Sequence, residues 1–203
     1  MTEIKEIKET KEIESYCDHF SGLDFFYSQI YEKALELPED FPFLEVGTRA
    51  GGTSLLFLKA IGDSGKKNRF LITVDPYGAM LYPGQGDSFG EKYRRRAMKA
   101  ISDYCFYNEL NHFHFRLTSF QFYQVWKISD FWDRERKMNK KFGVIFLDGD
   151  HSDAVCKKEI QFFQNFIVEN GLLVIDDKDK ENYYTDVLKE KPIVNNNRLF
   201  YKL

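Results

Sequence analysis

Cysteine is scarce in this 203-residue chain. Cys17, Cys105 and Cys156 are odd in number and form no C-x-x-C pair. That excludes a disulfide framework and a zinc knuckle, and it fits a reducing compartment. Long apolar runs are missing as well. No run approaches the roughly 18 residues that a membrane span requires, so no membrane partner is expected. The first ten residues, MTEIKEIKET, lack the apolar stretch of a secretory signal. A cytoplasmic location is the expectation. There is no basic excess: 29 Lys and Arg stand against 32 Asp and Glu. A general nucleic-acid binder usually carries one, so no nucleic-acid partner is expected.

What is present suits a globular enzyme-sized domain. Hydrophobic residues make up 43% and charged residues 30%, which rules out a disordered acidic chain. The length fits one domain with additions, long enough to bury a core without staples. Phe and Tyr are abundant, at 20 and 12. They either fill the core or wall an aromatic ligand pocket.

Along the chain, residues 3–14 read EIKEIKETKEIE, whose Glu and Lys at i,i+4 spacing support a solvated helix. Leu23, Phe26, Tyr27, Ile30, Ala34 and Leu37 have helical period, and Pro38 and Pro42 close that helix. Residues 1–40 thus read as a helical arm and helix, and 41–203 as the main domain. There the pattern alternates. Strands are expected at 41–47, 69–75, 112–117, 142–148 and 171–177. Helices are expected at 52–61, 91–107, after Thr118, whose pairing with Gln121 makes a capping box, and over 152–169, ended by Asn170-Gly171. Residues 76–90 are rich in Gly and Pro and read as a loop. The tail KPIVNNNRLFYKL reads as two short strands about an Asn turn. The first, fourth and fifth strands are near-continuous apolar runs, as strands covered on both faces require. The expected fold is a single doubly wound, mostly parallel α/β sheet with a C-terminal antiparallel hairpin.

In such sheets ligands sit beyond the carboxyl ends of the strands. Three constellations lie there. Glu45-Val-Gly47-Thr48-Arg49-Ala50-Gly51-Gly52 follows the first strand and opens a helix. Its glycines allow a sharp turn and a close ligand approach, and the helix offers free N–H groups. The pattern is not G-x-G-x-x-G, which disfavours a dinucleotide. Asp75 ends the second strand, where an acid can accept from both hydroxyls of a ribose; Pro76 and Tyr77 follow and can cover a purine. Asp148-Gly-Asp150-His151 ends the fourth strand and Asp176-Asp177 the fifth. Carboxylates crowded on neighbouring strands repel unless a cation sits among them, and oxygen ligands suit Mg²⁺ or a similar hard ion. Taken singly, these acids also read as turn or helix-cap residues, and His151 as a cap of the helix from Ser152.

The segments FLEVGTRAGGTSL, TVDPYG, FLDGDH and GLLVIDD, in that order, resemble the class I S-adenosylmethionine-dependent methyltransferases. More narrowly they are similar to the metal-dependent small-molecule O-methyltransferases, the macrolide-sugar group related to catechol O-methyltransferases. The resemblance covers about residues 40 to 203. It implies S-adenosylmethionine as cofactor, with Glu45 and Gly47 by its methionine part and Thr48 and Gly51 among its binding residues. It places Asp75 at the ribose and Ser119 near the adenine, and counts Pro76 and Asp148 among the cofactor-binding residues. It implies Asp148, Asp176 and Asp177 as ligands of Mg²⁺ or a similar divalent cation, and His151 as catalytic base. Thr48-Arg49-Ala50 departs from the family, which mostly has a second glycine early in this loop.

The implied partner is a small-molecule hydroxylated acceptor, a sugar or a vicinal diol or catechol; a homo-oligomer is neither required nor excluded. Tyr77, Met80, Tyr82, Phe89 and Tyr93 are expected to wall the acceptor pocket or form a lid made mobile by Gly78, Gly84, Gly86 and Gly90. Arg94-Arg95-Arg96 cannot share one helix face, so they are mostly solvated or one of them meets an acidic acceptor. His19, His112 and His114 read as structural. Two other readings stand beside this one: a non-catalytic relative that binds cofactor or partner, and an NAD-dependent oxidoreductase.

Overall fold

The computed structural model describes residues 13, 23–78, 90–133, 136–178 and 184–203. Helix α1 (Leu23–Glu36) leads into strand β1 (Phe43–Val46), helix α2 (Gly52–Asp63) and strand β2 (Phe70–Val74). Helix α3 (Glu91–Asn108), strand β3 (Asn111–Phe115) and helix α4 (Ser119–Ile128) follow. A two-stranded ribbon, β4 (Trp132–Asp133) with β5 (Arg136–Lys137), precedes β6 (Phe142–Leu147), α5 (Asp153–Phe163) and β7 (Ile167–Ile175). The chain ends with α6 (Thr185–Leu188), β8 (Ile193–Asn195) and β9 (Arg198–Lys202). The main sheet has seven strands in the order β3-β2-β1-β6-β7-β9-β8. The first five are parallel, and β9 runs antiparallel between β7 and β8. This is the expected doubly wound sheet with its terminal hairpin.

Alternation along the strands builds two cores. Phe43, Leu71, Val144, Phe146, Leu172 and Val174 face α1, α2 and α3, against Phe26, Ile30, Leu55, Phe57, Ala97 and Ile101. Leu44, Ile72, Ile145, Leu147, Leu173 and Ile175 face the other layer, against Phe122, Trp126, Ile160 and Phe163. Both faces of the central strands are covered, which is why they read as unbroken apolar runs. The aromatic abundance goes largely into these layers. Phe26 packs on Phe57 and Phe146 on one side, and Trp126 stacks between Phe122, Phe131 and Phe142 on the other. Arg69 is wholly buried beneath the end of α1, donating to the carbonyls of Leu37 and Phe41 at 2.8 and 2.6 Å and lying over the Phe43 ring. Orphan carbonyls at the helix end are satisfied in this way.

Two expectations are corrected. The helix after Ser152 stops at Phe163, passes through one 3₁₀ turn (Gln164–Phe166), and Ile167 already pairs with Phe142. Asn170-Gly171 therefore does not end a helix. Asn170 takes φ 62° inside β7, next to the register shift between Phe142 and Val144. The ribbon β4–β5 was not foreseen, because two-residue strands carry no period. The capping box is as expected: Thr118 accepts from the Gln121 amide, and the Gln121 side chain accepts from the Thr118 amide. The arm at 3–14, save Ile13, lies outside the described residues, as do Met80, Tyr82, Gly84, Gly86 and Phe89.

Candidate active site

The parallel hydrogen-bond ladder runs one residue past each strand, and this aligns the site. The Gly47 amide donates to Val74 O, Asp75 to Phe115 O, Asp148 to Val46 O and Asp176 to Leu147 O, all at 2.8–3.1 Å. Four chain turns thus leave one edge of the sheet together. Gly47 sits at the centre with φ +93°, and a Cβ there would stand 2.0 Å from the Asp148 carbonyl oxygen. Only glycine allows β1 to turn this close to the β6 end.

Glu45 is wholly buried under the turn. The Ser54 hydroxyl donates to one of its oxygens; the other, Oε1, is buried with no hydrogen-bond partner among the described residues. Burial pushes the carboxyl up to about 8, with the nearby Asp75 adding to the rise and Ser54 opposing it. An orphaned acceptor here fits the ammonium of the cofactor's methionine part. Gly51, at φ +88°, caps α2 without a side-chain bond. First-turn amides at such a helix start suit a carboxylate.

Asp75, the expected ribose acceptor, already accepts three backbone amides. One oxygen accepts from the amides of Thr48 and Arg49 at 3.0 and 2.9 Å, and the other from the Tyr77 amide at 2.8 Å. The side chain therefore pins the glycine turn to the end of β2. Burial raises its carboxyl above the usual range, and these three amides pull it back down. Arg49 takes φ 42°, the left-handed region that favours glycine. Its amide bond to Asp75, and the Tyr77 hydroxyl donating to its carbonyl at 2.8 Å, hold that conformation. Tyr77 is buried in the core for this purpose, so it neither walls a pocket nor covers a purine. Pro76 and Thr48 are buried beside it. Ser119, first residue of α4, lies at the neighbouring β3 end and donates to buried Glu159, whose carboxyl burial raises to about 7.

On the other side of Gly47, Asp148 and Asp176 are hydrogen-bonded to each other. Burial first, and then the Asp176 charge, holds the Asp148 carboxyl well above the usual range. Burial also raises Asp176, but Arg198 from β9 pairs with it at 2.6 Å and opposes the rise. Arg198 is itself buried, against the Phe26 ring. His151 Nε2 lies 3.7 Å from Asp148 Oδ1 and 3.5 Å from Asp177 Oδ2. Asp177, at φ 54°, is the most exposed of the three acids. His151 does not cap α5: the cap position is Ser152, and Asp150 Oδ1 accepts from the Ser152 amide at 2.8 Å. The all-carboxylate donor set, crowded enough to raise Asp148, fits a hard cation by its chemistry. As the side chains stand, no three His, Cys, Asp or Glu among the described residues converge on one metal position.

The sequence did not single out Lys178, Arg198, Ser54 or Glu159. Lys178 carried one signal, its place directly after Asp176-Asp177. At the α3 start, Arg94 and Arg95 pair with Glu91, and Arg116 donates to the carbonyls of Pro76 and Tyr77. His112 and His114 both bond the Thr73 hydroxyl at 2.9 Å, and the His114 ring lies against Tyr77. No helix among the described residues is long and apolar enough to cross a membrane.

A family model described as a methyltransferase domain matches residues 44–178. Comparison with curated proteins found no match. Among solved structures, an O-methyltransferase from Bacillus cereus in complex with SAH superposes with TM-score 0.56 at 12% identity, over 84% of this chain and 66% of that one. CalS11, a TDP-rhamnose 3'-O-methyltransferase of calicheamicin biosynthesis, superposes with TM-score 0.58 at 13% identity, over 98% and 94%. The SAH-bound methyltransferase PaMTH1 from Podospora anserina gives 0.50 at 13%, over 84% and 61%. This chain spans less than two thirds of the Bacillus and Podospora proteins. These neighbours share the fold; the family match, which covers the glycine turn, Asp75 and all three strand-end acids, shows membership. The chain belongs to the methyltransferase-domain family, the S-adenosylmethionine-dependent methyltransferases of the class I fold.

Proposed function

We propose that this chain transfers the methyl group of S-adenosylmethionine to a hydroxyl oxygen of a small molecule, with His151 as base and a divalent cation, Mg²⁺ or similar, at Asp148, Asp176 and Asp177. The observation that carries this reading is the meeting of His151 with Asp148 and Asp177 beside the Gly47 turn. When bound, the cofactor supplies a methyl already activated on sulfonium. What remains for the protein is alignment and removal of one proton.

Glu45 and the first turn of α2 hold the cofactor's methionine end, and the Asp75-pinned turn sets how close it comes. Ser119 and Pro76 border the nucleoside end, with Asp148 at the cofactor's edge. His151 takes the acceptor's proton. A cation among the acids would lower the acceptor hydroxyl's pKa and favour an acceptor with a second, adjacent oxygen. CalS11, which superposes nearly end to end, is a TDP-rhamnose 3'-O-methyltransferase, and this supports a sugar or glycoside acceptor over a catechol. The setting proposed is the cytoplasm.

Thermal unfolding with Mg²⁺ tests the metal part without an acceptor. At roughly 100-fold over Kd, an ion bound only by the folded state stabilises by about 2.7 kcal/mol. For a chain of this size that is roughly 5–10 °C in Tm. Asp148→Asn with Asp177→Asn should remove the shift. A Tm indifferent to Mg²⁺ would leave a metal-free methyltransferase with His151 as sole base.

A further inference from the structure

His151 has little to hold it by its own ring. The side chain is 39% exposed, and its two polar contacts, at 3.5 and 3.7 Å, are longer than ordinary hydrogen bonds. A base must nevertheless be kept within a fraction of an ångström of its working place. The backbone supplies what the ring lacks. The Lys178 amine donates to the His151 carbonyl oxygen at 2.8 Å and to Asp153 Oδ1 at 2.8 Å. Lys178 is 7% exposed. Its own amide donates to Asn197 O at 2.8 Å, which fixes it to the terminal hairpin. Tyr184 adds a bond to the same Asp153 oxygen at 3.2 Å. One buried ammonium thus ties the loop after β6, with His151, to the loop after β7, with Asp176 and Asp177. A buried lysine is costly unless its donors are met, and here two of the three are met by the two atoms bracketing the residue before the helix.

We propose that Lys178 is a positioning residue for His151, a tether that sets the His151 peptide and through it the imidazole against Asp148 and Asp177. The tether rests on the reading of His151 as base. It predicts that cutting the bond at Lys178 moves His151, 27 residues away in sequence, and leaves the core alone. Lysine here does not act on substrate; it works through the histidine.

Histidine ring NMR tests this on the whole chain without any acceptor. The chain has four histidines, and His151→Ala assigns the signal of interest. His112 and His114, packed at β3, report whether the fold is intact. In Lys178→Met the His151 ring signal should shift or broaden, and amide exchange at 151–153 should speed up by about tenfold or more, with the His112 and His114 signals unmoved. Lys178→Arg, which keeps the charge and the donors, should restore the wild-type His151 signal. If Lys178→Met loses the His112 and His114 signals, Asp153→Asn is the second probe. It acts on a largely exposed carboxylate and should move the His151 signal in the same direction by less. A His151 signal and exchange rates unchanged in a folded Lys178→Met, or in Asp153→Asn, would overturn the tether. Failure of the base reading is separate: it would show as undiminished methyl transfer by His151→Ala, whatever Lys178 does to the ring signal.

Discussion

Replacing Asp75 by alanine should unfasten the glycine turn before any cofactor is added. Its two oxygens accept three backbone amides, from Thr48, Arg49 and Tyr77. Thr48 and Tyr77 are almost wholly buried, so their amides cannot turn to water when the carboxylate is gone. Arg49 is exposed, and its amide can. Two stranded donors at about 1.5–3 kcal/mol each give a loss of about 3–6 kcal/mol. With a urea slope of roughly 2–3 kcal/mol per M for a chain of this size, the midpoint should fall by about 1–3 M. Asp75→Asn keeps one acceptor oxygen and should lose about half as much. A residue that only bound ribose would weaken S-adenosylmethionine binding yet leave the cofactor-free midpoint in place. A midpoint unchanged to within about 0.3 M, with affinity lost, would refute the loop-anchoring argument and return Asp75 to the ribose alone.

Three further outcomes follow. Arg198→Met strips a buried Asp176 of its counter-ion and should cost about 3–5 kcal/mol in urea unfolding, most of it regained in the Arg198→Met, Asp176→Asn double variant; additive losses would contradict a direct pair. Glu45 has a folded pKa of about 8, above its unfolded value, so its contribution is full in acid and lost as pH rises through 8. The cofactor-free chain should therefore lose stability from pH 6.5 to 8, by up to about 1.4 kcal/mol per pH unit from this group, and Glu45→Gln should flatten the slope. Glu159, raised to about 7, adds to the lower part of that window. On an acceptor the chain turns over, His151→Ala should cut kcat by about 10²–10⁴-fold with S-adenosylhomocysteine affinity unchanged; a near-normal kcat would make His151 structural.

The sheet was legible because burial on both faces leaves a plain mark, the unbroken runs FLEV and FGVIFL. The strand-end acids were legible for the same reason: each directly follows such a run. Helix α5 was read too long because Asn170-Gly171 is a stop signal in either context, and only pairing of Ile167 with Phe142 decides it. The three amides that Asp75 accepts were not legible, because the sequence does not display backbone partners. Lys178 and Arg198 escaped notice because each acts across a long stretch of chain, on His151 and on Asp176. Tyr77 looked like a pocket wall, yet it is buried with its hydroxyl bonded to the Arg49 carbonyl, a partner the sequence does not display.

Calorimetric titration of S-adenosylhomocysteine and of NAD into the metal-free chain, each repeated with Mg²⁺, tests the central claim most directly. The account predicts one saturable S-adenosylhomocysteine site per chain, weakened at least about tenfold by Glu45→Gln, which cannot ionise against the ligand's ammonium, and no NAD binding. Absence of S-adenosylhomocysteine binding, or NAD bound as tightly, would contradict it.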